Sequence, residues 1–120
     1  MSNKKEIRRK FREDTFDRDG YCCKWCGNGS VLESPESFFD AHHITDRNEM
    51  PNGGYVPENG ITLCKFDENG LEEGSCHMKA EKFHISGGEE WEEGMHPDDL
   101  YKLIGSSKEL AIEKSEKIKI

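Results

Sequence analysis

The sequence has no long apolar run. None of its hydrophobic stretches approaches the roughly 20 residues that a transmembrane helix requires, and no signal-peptide core follows the charged N-terminus. We therefore expect a soluble protein without membrane contact, located in the cytoplasm, where thiols stay reduced. Hydrophobic residues make up 32% of the 120-residue chain and charged residues 35%. That composition is lean for one freestanding domain, and a metal that binds only the folded chain would supply the missing stability.

The sequence also lacks the even cysteine number of a disulfide framework. It has five cysteines, and one pair has the Cys-x-x-Cys spacing that places two thiolates on one tight turn. Two further cysteines are separated by the acidic insert 65–75. The simplest use of these residues is one tetrahedral Zn²⁺ held by Cys23, Cys26, Cys64 and Cys76. Buried cysteines without a metal, or a redox pair in the first turn, are the alternatives, and Cys22 is expected to be a bystander thiol.

The sequence has fewer basic than acidic residues, 17 against 25, which gives a net charge of −8. Residues 31–100 carry 17 acidic and 4 basic side chains, whereas residues 1–30 carry 8 basic and 5 acidic ones. A protein that grips a phosphate backbone strongly should be basic overall. Contact with nucleic acid must therefore come from a bound cation or from local patches, with Arg8, Arg9, Arg12 and Arg47 as candidates. For the three arginines of the N-terminal segment, phosphate contact and a solvated helix face are equally open interpretations.

Apolar periodicity and capping residues predict helices and strands along the whole chain. Asn3 and Ser75 are candidate helix caps, residues 17–20 have turn chemistry, and residues 50–60 form a loop. The predicted helices are 3–16, 75–85, 96–104 and 107–119, and the predicted strands are 37–44 and 61–63. Helices and strands of this order belong to the α+β class.

Two adjacent histidines, His42 and His43, close the first predicted strand. Strand alternation places Phe38, Asp40 and His42 on one face and Phe39, Ala41 and His43 on the other. Both histidines can serve one site only if the strand ends or distorts there. Asn59 is a candidate for fixing that distortion through hydrogen bonds to backbone. On the helix 75–85, three further polar side chains share a face, namely His77, Glu81 and His84.

Four short motifs stand in order along the chain. They are Cys-x-x-Cys-Gly from Cys23, Asp-Ala-His-His-Ile from Asp40, Asn-Gly-Ile-Thr-Leu-Cys from Asn59 and Cys-His from Cys76. The ordered set, over roughly residues 16–86, resembles the HNH endonuclease family, in particular its small zinc-containing members common in phages and bacteria. The resemblance implies a ββα-metal core at 17–86 with a structural zinc on four cysteines and one catalytic divalent cation. The N-terminal helix 1–16 and a helical extension 87–120 would flank this core.

The resemblance also implies a role for individual residues. His43 corresponds to the general base and His42 to the metal ligand before it. Asn59 corresponds to the asparagine that orients the base, and His77 to the helix ligand that closes the metal site. The insert between Cys64 and Cys76 departs from the compact second cysteine pair that is usual in the family.

A further ligand of the catalytic cation varies within the family. Glu81 and His84 rank above Asp40 for this position. Asp40 is instead expected to be a partner of a ligand imidazole.

The implied activity is metal-dependent hydrolysis of DNA phosphodiester bonds. A neutral imidazole, with an ordinary pKa of about 6.5, can take a proton from water. A cation such as Mg²⁺, Mn²⁺, Ni²⁺ or Zn²⁺ would polarise the phosphate and stabilise the departing oxygen, and Arg47 can face the same phosphate. The alternative is a catalytically inactive, zinc-stabilised binding module on the same fold. The family resemblance would place the chain inside a bacterial host, encoded by phage or bacterium, whereas oligomeric state and DNA specificity stay open.

Overall fold

The computed structural model describes residues 3–27, 29 and 33–119. Within them, α-helices surround a single two-stranded antiparallel hairpin. The elements are α1 (Lys4–Arg18), β1 (Phe39–His43), β2 (Gly60–Cys64), α2 (Cys76–Ile85), α3 (Pro97–Leu103) and α4 (Lys108–Glu116). Short 3₁₀ turns occupy much of the connecting chain, at Pro35–Ser37, Arg47–Glu49, Pro51–Gly54 and Pro57–Asn59. The predicted α+β class is confirmed.

The hairpin lies between α1 and α2. Its register pairs Phe39 with Cys64 at one end and His43 with Gly60 at the other. Because side chains alternate along a strand, Phe39 packs against Phe16 of α1 while Asp40 and His42 of β1 face α2. The two faces of this small hairpin are therefore covered by different helices.

The first helix extends beyond its predicted end. It was expected over 3–16 with a turn at 17–20, but α1 continues to Arg18. The reason is a long-range clamp, in which the buried carboxylate of Asp19 pairs with Arg18 at 2.7 Å and accepts the Thr62 N–H at 2.9 Å. Asn3 occupies the N-cap position, as predicted, but its side chain makes no capping hydrogen bond.

The predictions for the strands and later helices hold with small shifts. The first strand is shorter than 37–44 because the chain before it forms the turn Pro35–Ser37 and Phe38 is half exposed. The second strand extends one residue beyond 61–63 at each end. Ser75 caps α2 by accepting the Met78 N–H at 3.1 Å, as predicted. The loop predicted at 50–60 contains two 3₁₀ turns.

One hydrophobic core joins the hairpin to all four helices. It includes Phe16 of α1, Ile61 and Leu63 of β2, Leu100 of α3 and Ala111 of α4, each nearly or fully buried. The C-terminal helices therefore pack into the same core as the segment that carries the motifs. Among the described residues, no helix has both the length and the apolar character needed to cross a bilayer.

Candidate functional site

Cysteines from three parts of the chain form one cluster. Two lie in the turn after α1, one ends β2 and one begins α2. Their sulfur atoms all lie within 4.8 Å of one another, and this four-cysteine cluster consists of Cys23, Cys26, Cys64 and Cys76. The Lys24 N–H donates to the Thr62 carbonyl at 2.8 Å and ties the first turn to β2. Four thiolates converging on one point suit tetrahedral zinc, so the cluster could hold that ion.

The acidic insert 65–75 does not separate the two halves of the cluster. Asp67 closes it into a compact loop, because its carboxylate accepts the N–H groups of Asn69 and Leu71 at 2.9 and 2.8 Å. The loop returns Cys76 to Cys64, and the Cys76 N–H points at the Cys64 sulfur at 3.4 Å. Cys22 lies outside the cluster and donates its thiol proton to the Asp19 carbonyl at 3.3 Å.

In the absence of a cation, the electrostatics of the cluster favour a thiolate at Cys23 over one at Cys76. A hydrogen bond from Cys76 lowers the pKa of Cys23 to about 5, with the neighbouring backbone groups adding to the effect. The same hydrogen bond, with burial, raises the pKa of Cys76, since a second thiolate beside the first is repelled. A divalent cation would reverse this repulsion and let all four sulfurs ionise.

A second group of metal-binding side chains lies between β1 and α2. Its donor atoms lie within 4.8 Å of one another, and this His/Glu group consists of His42, His77 and Glu81. His42 Nδ1 and His77 Nε2 lie 3.1 and 3.3 Å from the same Glu81 oxygen. His42 is only 2% exposed, and its Nδ1 makes no hydrogen bond of acceptable geometry to any described residue. A buried ring nitrogen directed at a carboxylate and a second imidazole is the arrangement that a divalent cation completes.

Charge in the His/Glu group is strongly perturbed. Burial alone would lower the pKa of His77, but its hydrogen bonds with Asp40 and Glu81 outweigh burial and raise that pKa to about 9. The close His42 and His77 rings hold the pKa of Glu81 far below its usual range. Burial lowers the pKa of His42. The group therefore combines one imidazolium, one carboxylate and one neutral imidazole near pH 7.

The two remaining ligand candidates take different positions. Asp40 Oδ2 lies 2.8 Å from His77 Nδ1, where a partner of a ligand imidazole would lie. His84 stacks on His42 with ring centroids 5.2 Å apart, and its Nε2 contacts the His43 carbonyl at 2.9 Å. His84 is therefore outside the group of converging donors, whereas Glu81 is part of it.

His43 leaves β1 on the face opposite to His42. Its ring packs against Phe11 of α1 and Tyr55, at centroid distances of 4.6 and 4.8 Å. Burial lowers its pKa to about 4, with the nearby His42 and Arg47 adding to the effect. His43 still lines the same cavity of about 280 Å³ as the His/Glu group, together with Arg47. The end of β1 thus brings both histidines to one cavity although they point away from each other.

Asn59 acts on the backbone just beyond the histidines. Its side-chain oxygen accepts the Thr45 N–H at 3.0 Å, and its amide donates to the carbonyls of Thr45 and Gly54 at 3.1 and 3.2 Å. The Tyr101 hydroxyl donates to the same Asn59 oxygen at 2.7 Å and lies 2.7 Å from the Thr45 hydroxyl. Asn59 is fully buried, so it contributes position and not direct contact with a ligand.

The four candidate arginines divide into two groups. Arg47 and Arg8 line one surface cavity, which Tyr55 also borders. Arg9 and Arg12 line a different cavity together with Glu13 and other acidic residues, and Arg9 is paired with Glu6 and Glu13 at 2.7 and 2.8 Å. The structure therefore does not bring Arg9 and Arg12 to the histidine cavity.

Two positions next to the site could not be recognised in the sequence. Tyr101 lies in the predicted helix 96–104. The apolar spacing of that helix gives no indication that the Tyr101 hydroxyl contacts Asn59. Tyr55 lies in the predicted loop 50–60, and its contact with His43 depends on how the loop folds back onto α1. Each lies more than ten residues from the motifs' histidines in the chain, so local pattern carried no signal for either.

Comparisons with protein-family models, curated proteins and solved structures found no match for this chain.

Proposed function

We propose that the protein is a metal-dependent HNH-type endonuclease that hydrolyses DNA phosphodiester bonds. The supporting observation is the His/Glu group, in which the buried Nδ1 of His42 lies 3.1 Å from a Glu81 oxygen and converges with the donors of His77 and Glu81 beside a surface cavity. Two imidazoles and a carboxylate leave coordination positions open, as a catalytic site requires. The four-cysteine cluster joins the turn after α1, β2 and α2, and zinc there would be structural.

A divalent cation on His42, His77 and Glu81, such as Mg²⁺, Mn²⁺, Ni²⁺ or Zn²⁺, would act as a Lewis acid towards the scissile phosphate and its leaving oxygen. Asp40 holds the His77 ring by its Nδ1 and so keeps Nε2 directed at the cavity. His84 fixes the backbone directly after the two motif histidines through the His43 carbonyl.

His43 is the proposed general base. Its lowered pKa keeps the imidazole neutral at pH 7, which is the form that accepts a proton from water. A pKa of about 4 makes a weak base, but the negative phosphate of a bound substrate would raise it again by favouring the imidazolium. Asn59, through the Thr45 backbone, holds the chain where it leaves β1 and so limits the positions of His43.

The test is incubation of supercoiled plasmid with the purified protein in Mg²⁺, Mn²⁺ or Ni²⁺, with EDTA as the metal-free condition. We expect cation-dependent nicking or linearisation by wild type. His43→Ala should lower the rate by about 10²- to 10⁴-fold while zinc content and helix content stay unchanged, because general-base loss typically has that effect.

His96→Asn is the matched control. His96 lies at the start of α3 and accepts the Asp98 N–H, a capping role that asparagine can take over. This variant should cleave at the wild-type rate. If His43→Ala also cleaves at that rate, His43 is not the base. If wild type cleaves no form of DNA with any cation, the protein is better described as a zinc-stabilised binding module.

A further inference from the structure

A surface cavity of about 330 Å³ adjoins the proposed active site on the side of α1. Arg47 borders both this cavity and the histidine cavity, so the two are neighbours that share one arginine. The other borders are formed by Arg8 and Lys4 of α1, by Tyr55 and by the polar side chains Asn48 and Asn52. We refer to it as the arginine cavity.

The charge of the arginine cavity contrasts with that of the protein. Among the described residues that line it there is no carboxylate, although the whole chain carries a net charge of −8. The histidine cavity, in comparison, includes Asp40, Asp46 and Glu81. A cationic recess beside an otherwise acidic surface concentrates anions at that one place.

Tyr55 organises the two arginines. The Arg8 guanidinium lies over the Tyr55 ring, 5.6 Å from its centroid, and an interaction with the Tyr55 side chain raises the pKa of Arg47. The ring itself is held by the backbone of Gly53, where an added Cβ would lie only 2.5 Å from it. The same ring touches His43. One tyrosine side chain therefore interacts with both arginines and with the proposed base.

Both guanidiniums are available to an anion. Within the described part of the chain neither Arg8 nor Arg47 forms an ion pair with a carboxylate, whereas Arg9 pairs with both Glu6 and Glu13. Arginine donors bind phosphate oxygens in pairs, which gives both strength and direction.

We propose that the arginine cavity binds one backbone phosphate of the DNA strand being cut, next to the scissile phosphate, between Arg8 and Arg47. The inference rests on the proposed nuclease function and adds to it the path of the cut DNA strand across the protein surface. The cut strand leaves the histidine cavity past Arg47 and runs along α1, a helix outside the segment that resembles the HNH family. The cavity contributes positioning and affinity, and the chemistry stays with His43 and the His/Glu group.

The test measures binding of a short fluorescent DNA duplex by His43→Ala protein, which keeps the metal-binding side chains but should not cut the probe. In this background we compare Arg8→Ala, Arg47→Ala and the double variant over a series of salt concentrations. Each single change should weaken binding roughly tenfold, since hydrogen bonds to charged groups are strong ones. The double variant should lose little more than either single variant, because both residues hold the same phosphate. The slope of log affinity against log salt concentration should be less steep by about one for the double variant, as expected for one lost phosphate contact.

Arg9→Ala/Arg12→Ala is the charge-matched control and should bind like the parent. Both target arginines are exposed, so circular dichroism and zinc content should match the parent in every variant. The assignment is overturned if the Arg8 and Arg47 variants keep parental affinity and salt slope, or if the Arg9/Arg12 variant shows the same loss. If wild type cleaves plasmid while the Arg8 and Arg47 variants bind normally, only the cavity assignment fails. If wild type neither binds nor cleaves DNA, the proposed function fails and the cavity assignment with it.

Discussion

His42 and His43 are consecutive residues with opposite environments. His42 points at α2 and at two other donors, whereas His43 packs on the aromatic rings of Phe11 and Tyr55. Burial lowers the pKa of both rings, so both are in the neutral form near pH 7. His77 of the His/Glu group differs, because its contacts with two carboxylates outweigh burial and raise its pKa. Proton release on metal binding should therefore come from His77.

Metal binding at the His/Glu group should release about one proton per cation at pH 7. The pKa of His77 is about 9 in the metal-free protein, so a cation must displace its proton, while Glu81 is already ionised and His42 already neutral. The affinity should consequently rise with pH, by up to about tenfold per unit, and level off above pH 9. Calorimetric titration of the zinc-loaded protein with Mn²⁺ or Ni²⁺, in buffers of different ionisation enthalpy, counts the protons.

Asp40→Asn supplies the comparison for that experiment. It removes one of the two carboxylates that raise the pKa of His77 while leaving all three converging donors in place. Fewer protons should then be released at the same pH. A binding enthalpy independent of buffer for the wild-type protein would show that His77 does not carry the proton.

At the scale of elements, α3 contacts the chain just after β1 and just before β2, and the four-cysteine cluster includes the last residue of β2. Tyr101 of α3 is 2% exposed and meets both Asn59 and Thr45 through its hydroxyl. The cysteines join the turn after α1, the end of β2 and the start of α2. The hairpin has two strands of five residues each, which is marginal on its own. These outside contacts therefore decide where the motif residues lie.

Tyr101→Phe should lower the free energy of unfolding by about 1–3 kcal/mol. The change keeps the ring but removes a buried hydroxyl, leaving the Thr45 hydroxyl without its partner and Asn59 with one donor fewer. Urea unfolding of the zinc-loaded protein measures the loss. Plasmid cleavage should also slow, with Mn²⁺ affinity unchanged, because Asn59 positions His43 and not the His/Glu group. Tyr21→Phe is the control, since its hydroxyl contact with Asp17 is exposed. Equal stability of Tyr101→Phe and wild type would rule out this anchoring role.

The four-cysteine cluster should bind about one zinc per chain. Cys64→Ser and Cys76→Ser each remove one of four converging sulfurs and should release the ion on dialysis, whereas Cys22→Ser should retain it. Elemental analysis of each purified variant gives the stoichiometry. Retention of full zinc by Cys64→Ser would mean that the half of the cluster beyond the insert is not used.

The described part of the molecule combines a small core with two groups of side chains that could hold metal ions. Only 32% of the residues are hydrophobic, and the core draws on every helix and both strands. A domain of this size has a stability of about 5–15 kcal/mol. Structural zinc contributes about 10–16 kcal/mol of binding free energy in small zinc-dependent folds. The binding free energy of zinc in the four-cysteine cluster would therefore be comparable to the free energy of unfolding of the entire domain.

Removal of zinc with a strong chelator should unfold the protein or lower its melting temperature by tens of degrees. The physical reason is that the ion binds the assembled cluster and not the separated cysteines of the unfolded chain. Far-UV circular dichroism during a thermal ramp follows the transition, and added zinc should restore it. Mn²⁺ or Mg²⁺ should not, because thiolate sites select zinc over harder cations. An unchanged melting curve after complete zinc removal would contradict the structural role.

Much of the fold was predictable because local rules govern it. The cap at Ser75 predicted the start of α2, and its side chain acts within the first turn of that helix. The predicted end of α1 was wrong by two residues because Asp19 binds the backbone of Thr62, far away in the chain. The exposed position of Phe38 likewise follows from the 3₁₀ turn before β1, and the apolar periodicity of the sequence did not predict that turn.

For the candidate site, the sequence by itself determined the chemical types and the order of the residues. Cysteine, histidine and carboxylate side chains at these positions are residue types that suit metal binding and proton transfer. The tertiary structure alone decided the grouping: Glu81 joins His42 and His77, His84 turns to a backbone carbonyl, Arg8 joins Arg47, and Arg9 and Arg12 do not. The physical reason is that side-chain identity and helix or strand periodicity act locally, whereas donor distances, burial and pKa depend on how α1, α2 and α3 pack around the hairpin.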